Sequence, residues 1–162
     1  MAHCVWSGMK EIAQIKENGV FIAHCPDSNM NLMSGAAPAS RYLDEGIRVG
    51  LGSDVAGGSN TSMFRAMRDA VTVSKLRWRI FDRSVRPLRF PEAFYMATKG
   101  GGEFFGKVGS FERGYEFDAV VIDDSQIATM HKLDAALRTE RLAYLADDRH
   151  VVGKYVRGRK IY

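Results

Sequence analysis

The chain has 162 residues, 46% of them hydrophobic and 26% charged, with four prolines, which is the composition of an ordinary globular domain rather than a fibrous, low-complexity or disordered one. No apolar run approaches the ~20 residues that would span a bilayer, and no leader pattern is read at Met1-Ala2-His3. Two cysteines, Cys4 and Cys25, are too few for a disulfide scaffold and point to a reducing, cytoplasmic setting. The net charge of +4 is concentrated between Lys75 and Arg89, where six cations are offset by Asp82 alone. No aromatic-basic motif accompanies that cluster, so it reads as a solvated helix face rather than a nucleic-acid site.

In chain order, Ala2–Trp6 reads as the end of a strand. Residues 8–17 follow as an amphipathic helix, with Met9, Ile12, Ala13 and Ile15 at helical spacing and Asn18-Gly19 as its stop. Val20–Ala23 is a short, continuously apolar run, as in a strand buried on both faces of a parallel sheet. It ends in His24-Cys25-Pro26 and a polar loop at Asp27-Ser28-Asn29. Residues 38–45 form a short helix opened by Pro38, and Ile47–Leu51 is the next strand, leading to Asp54 and the Gly57-Gly58 turn.

A long helix is expected over residues 62–80, with Met63, Met67, Ala70, Val71 and Ser74 on one face. Another is expected over 92–105, where Gly100-Gly101-Gly102 either breaks the helix or lets it pack closely on a backbone. The pattern then turns to β: strands at Val108–Phe111 and Ala119–Ile122, a helix over 138–146 and a terminal hairpin over 151–162. Alternating strands and helices over short loops predict a parallel sheet up to about residue 106, and a β-rich unit after it. A closed (β/α)₈ barrel needs eight strands and about 250 residues. Three strands are therefore either a small α/β domain or the last part of a larger barrel.

His3, His24 and Asp54 each end a strand-like run, and in a barrel such ends converge on one rim. Two imidazoles and a carboxylate suit Zn²⁺ or Fe²⁺. Singly, each also reads as a structural residue, the histidines as hydrogen-bonded core groups and the aspartate as a turn former or cap.

Taken together, Ala2-His3-Cys4, the HCPxSN run of residues 24–29 and the GSDVAGG run of residues 52–58 resemble the C-terminal part of guanine deaminases in the amidohydrolase superfamily. The likeness extends over the whole chain. It implies about strands six to eight of a (β/α)₈ TIM barrel in residues 1–106, and the C-terminal share of a composite β-sandwich in residues 107–162. It also implies hydrolysis of guanine to xanthine and ammonia by a water that bound zinc activates. By the same resemblance His3 and Asp54 are metal ligands, Asp54 is also the catalytic proton carrier, and His24 and Asn29 line the substrate pocket.

The sequence departs from the family pattern in having no His-x-His pair, and no strand-five histidine with its following glutamate. The implied chain is thus inactive alone and associates with a complementary segment or with its own copies. Two other readings stay open: a relative acting on a triazine, a pterin or another purine, and a non-catalytic subunit that depends on a partner.

Overall fold

The computed structural model describes residues 1–162. Its first half is βα in character. Helix α1 (Met9–Glu17) buries Ile12 and Ile15 and ends at Asn18, whose side chain caps the carbonyl of Gln14. Strand β1 (Ile22–His24) pairs in parallel with β2 (Val49–Leu51), with Ile22 opposite Val49 and His24 opposite Leu51. Between them lie α2 (Pro26–Asn31) and α3 (Ala39–Asp44). The expected strand at Ala2–Trp6 is reduced to one parallel bridge, Ala2 to Ala23, on the free side of β1. Its backbone bonds run from Ala23 N–H to the Met1 carbonyl and from His3 N–H to the Ala23 carbonyl, at 2.8 and 2.9 Å. The order is therefore residues 1–3, β1, β2, and their C-terminal ends carry His3, His24 and the approach to Asp54 on one side.

Helix α4 (Met63–Ile80) starts at Ser62, whose hydroxyl accepts from Arg65 N–H, and it buries Met67, Ala70, Val71 and Ser74 as the periodicity predicts. The helix expected over 92–105 is two pieces, α5 (Phe90–Ala97) and α6 (Lys99–Gly102). The break falls at Thr98, whose backbone leaves the helical region (φ −124, ψ −102), and the three glycines lie inside α6, where they allow close packing. A Cβ on Gly50 of β2 would stand 2.9 Å from the Gly101 Cα, and one on Gly102 only 2.1 Å from the Val108 carbonyl oxygen. Backbone thus approaches backbone where no side chain fits.

The expected strand at Val108–Phe111 is not formed. Gly109 takes φ +80 and lies against the Thr98 carbonyl, so this segment follows the end of α5 and pairs with no strand. The polar loop expected at Asp27–Asn29 is instead part of α2, because Pro26 occupies a first-turn position where its missing N–H costs nothing.

The second half forms an antiparallel sheet of β3 (Ala119–Ile122), β4 (Val151–Val156) and β5 (Arg159–Lys160), with Ala119 opposite Tyr155 and Val156 opposite Arg159. Helix α7 (Ala135–Leu145), capped by Asp134, packs on α4, and its Ala143 joins the main core. That core gathers Ile12, Ile22, Tyr42, Val49, Val71, Leu88 and Met96 between the parallel strands and helices.

Three of the six cations of the basic stretch, Arg77, Arg86 and Arg89, have internal partners. Arg77 donates to the Ala36 carbonyl, while Arg86 bridges Asp44 and Glu92 and Arg89 also binds Glu92. Burial alone would raise the Glu92 carboxyl, but the two guanidiniums outweigh it and hold it down at about 2.

Candidate active site

The three strand-end residues do not play equal parts. His3 and Asp54 face each other across a partly open surface, with His3 Nε2 3.8 Å from Asp54 Oδ2 and both side chains about 40% exposed. His24 lies beneath them, 2% exposed. His3, Cys4 and Asp54 all adopt left-handed backbone, with φ of 68°, 45° and 49°. Such conformations cost energy in non-glycine residues, and they cluster where the surrounding structure holds a side chain in a required direction.

The direction of His3 is set by Asn29, which is 1% exposed. His3 Nδ1 lies 2.9 Å from Asn29 Oδ1. An amide oxygen can only accept, so Nδ1–H donates to it and Nε2 is the ring nitrogen turned toward Asp54. This is the arrangement by which an imidazole is held for a metal: one nitrogen anchored to an oxygen, the other free to ligate.

Asp54 is held from helix α2. The Ser28 hydroxyl donates to Asp54 Oδ2 at 2.6 Å. Asp27 accepts the backbone and side chain of Ser59 at 2.6 and 2.9 Å, and Asn31 donates to the Gly57 carbonyl at 2.8 Å. Three polar side chains of one short helix therefore clamp the loop that follows β2. Gly57 completes the cradle, since a Cβ there would lie 2.8 Å from both Asp54 Oδ2 and Ser28 Oγ.

The resemblance placed His24 and the loop of residues 26–29 at the pocket, but it did not pair Ser28 with Asp54 and gave no role to Asn31 or Gly57. The available signal was Pro26: read as a helix opener, it places Asp27, Ser28 and Asn31 on one turn beside the loop. Burial, with His3 nearby as a second influence, lowers His24 to about 4, so it is neutral at physiological pH, and its Nδ1 has no protein partner. Burial, and then the Asp54 carboxylate, push the Cys25 thiol up to about 11, which makes it a packing residue rather than a nucleophile.

The donor chemistry fits a borderline metal such as zinc. Imidazole nitrogen and carboxylate oxygen are its usual ligands, and Nε2 of His3 is oriented for the task. No group of three or more His, Cys, Asp or Glu residues that could hold a metal gathers in the structure.

Residues 1–161 match the Amidohydrolase family. The guanine deaminase of Dictyostelium discoideum is 36% identical over 168 residues, covering 99% of this chain and 37% of that protein. The crystal structure of guanine deaminase from C. acetobutylicum with bound guanine superposes with a TM-score of 0.93 at 49% identity, over 100% of this chain and 38% of that one. An adenosine deaminase from Xanthomonas campestris with bound zinc superposes with a TM-score of 0.82 at 27% identity, over 98% of this chain and 36% of that one. The chain thus spans little more than a third of the length of these relatives. A family match over nearly every residue, and a structural likeness that holds across the entire chain, place it: the chain belongs to the amidohydrolase family.

Proposed function

We propose that this chain supplies about strands six to eight of a (β/α)₈ hydrolase of guanine deaminase type, with residues 1–106 in the barrel and 107–162 in the accompanying β-segment. The single observation that carries the reading is the oriented pair of His3 and Asp54, 3.8 Å apart at the shared end of the parallel strands. His3 would hold a zinc ion through Nε2, with Asp54 as a second ligand; iron is the alternative. A bound zinc ion supplies water activated for attack at neutral pH.

The chain's own residues do the rest of their share. Asp54, steadied by Ser28, takes the proton of the attacking water and returns it toward the leaving nitrogen. Asn29 keeps His3 in the ligating tautomer. His24 forms the floor of the pocket as a neutral, buried imidazole. The substrate read from the relatives is guanine, and the products are xanthine and ammonia.

Three protein donors are the usual minimum for a catalytic zinc, and this chain offers two. The remaining donors and the general acid then come from a complementary segment, which pairs along the open edges of the β1–β2 sheet. The test is a chimera that joins this chain to the preceding portion of the C. acetobutylicum guanine deaminase. The isolated chain is expected to leave guanine unchanged. The zinc-loaded chimera is expected to hydrolyse it, and Asp54→Ala to reduce the rate by about 10²- to 10⁴-fold. Guanine turnover by the isolated chain, cancelled by a chelator and by Asp54→Ala, would overturn the partial-site reading. A folded, zinc-loaded chimera without activity would overturn the chemistry.

A further inference from the structure

We propose that Trp6 is the platform on which the planar ring of the substrate stacks. A cavity of about 560 Å³ opens beside the candidate site, walled by His3, Val5, Trp6, Ser28, Leu32 and Met33. It therefore shares His3 and Ser28 with the candidate site, while Val5, Trp6, Leu32 and Met33 give it an apolar wall and Ser34 a further polar edge.

Trp6 is 76% exposed, yet its position is set from two sides. Its indole N–H donates to the Ser34 carbonyl at 2.9 Å. Its ring lies against Gly35, where a Cβ would come within 3.0 Å of the ring carbon Cζ2 and within 3.0 Å of Val5 Cγ1. Gly35 also holds φ +110, so glycine is required there both for the contact and for the backbone. A tryptophan side chain gains by leaving water, and its N–H is normally paired when it does. Here the pairing is made while most of the ring stays in solvent at the mouth of a cavity. An aromatic surface immobilised in advance loses little freedom when a second ring is laid on it. A flat heteroaromatic ring matches that surface by stacking, and its edge then reaches toward His3 and Ser28.

The inference rests on the hydrolase reading for the identity of the ring, a purine. It assigns Trp6 to binding the ring and gives it no part in the proton transfers.

The test uses the full 162-residue chain. In a Trp78→Phe background Trp6 is the only indole, since the chain has two tryptophans. Guanine is expected to quench its fluorescence saturably, and ribose, a non-aromatic control, is expected to have no effect. Equilibrium dialysis with labelled guanine should show binding weakened about 5- to 150-fold by Trp6→Ala. Trp6→Phe should stay within about threefold, because a flat ring remains. Circular dichroism melts confirm that each variant is folded.

Failure of the folded wild-type chain to bind guanine saturably would overturn the proposal, as would unchanged dialysis binding in Trp6→Ala. So would a Trp6→Ala effect on self-association alone, which would mark the ring as a contact between copies. The chimera separates the two claims. Trp6-dependent guanine binding alongside an inactive chimera would refute only the hydrolase chemistry. An active chimera dependent on Asp54, alongside guanine binding indifferent to Trp6, would refute only the platform.

Discussion

Acidification tests the buried imidazole of His24 directly. The group is 2% exposed, its Nδ1 has no protein partner, and its folded value is about 4 against an ordinary value of 6.5. Because the folded value is the lower one, the unfolded chain binds more protons between these limits. Stability is therefore complete above about pH 6.5 and falls as the pH drops toward 4. At pH 5 the unfolded imidazole is protonated about thirty to one, whereas the folded one is protonated about one to ten. The difference costs about 2 kcal/mol relative to pH 7.5. Urea denaturation of the metal-free chain at pH 7.5 and pH 5.0, alongside His24→Gln, isolates the contribution. Wild type should lose about 2 kcal/mol more on acidification than His24→Gln does. Equal losses in both proteins would show that the burial of His24 does not set its protonation.

Gly57→Ala should drive Asp54 and Ser28 apart, since the added methyl lies 2.8 Å from both oxygens. In the guanine-hydrolysing chimera we expect kcat/KM to fall by about 10²-fold; a drop below threefold would show that the cradle is not required. Tyr42 is fully buried, and its hydroxyl donates to the carbonyl of Cys4, the residue next to His3. Tyr42→Phe strands that carbonyl and should cost about 1–3 kcal/mol, or roughly 2–10 °C of melting temperature by calorimetry. An unchanged melting temperature would refute the assignment. The isolated chain should also self-associate, because the β1–β2 sheet has open edges and Phe104 and Phe105 are 64% and 79% exposed. Size-exclusion with light scattering should show species above 18.1 kDa, and a clean monomer would contradict the expectation.

Several parts of the structure were legible because their signals are local. The 3.6-residue periodicity marked α1 and α4 as amphipathic helices, although Met9 and Ala13 of α1 stay exposed and only Ile12 and Ile15 are buried, and the apolar runs before His24 and Asp54 marked parallel strands. The strand expected at Val108–Phe111 failed because its apolar residues carry no information about Gly109, whose positive φ serves a contact with Thr98. The loop expected at Asp27–Asn29 is helical because Pro26 opens a first turn in which short polar side chains are well tolerated.

The sequence by itself determined which chemistry-bearing residues end each strand: an imidazole at 3, an imidazole at 24, a carboxylate at 54. Only the tertiary structure decided their division of labour, with His3 and Asp54 facing outward and His24 sealed beneath them. The contacts that make this division join residues 26 positions apart, His3 to Asn29 and Ser28 to Asp54. Local propensity and periodicity register only near neighbours. Parallel pairing of β1 with β2 is what brings those distant side chains within hydrogen-bond reach, and that pairing is a property of the packed chain.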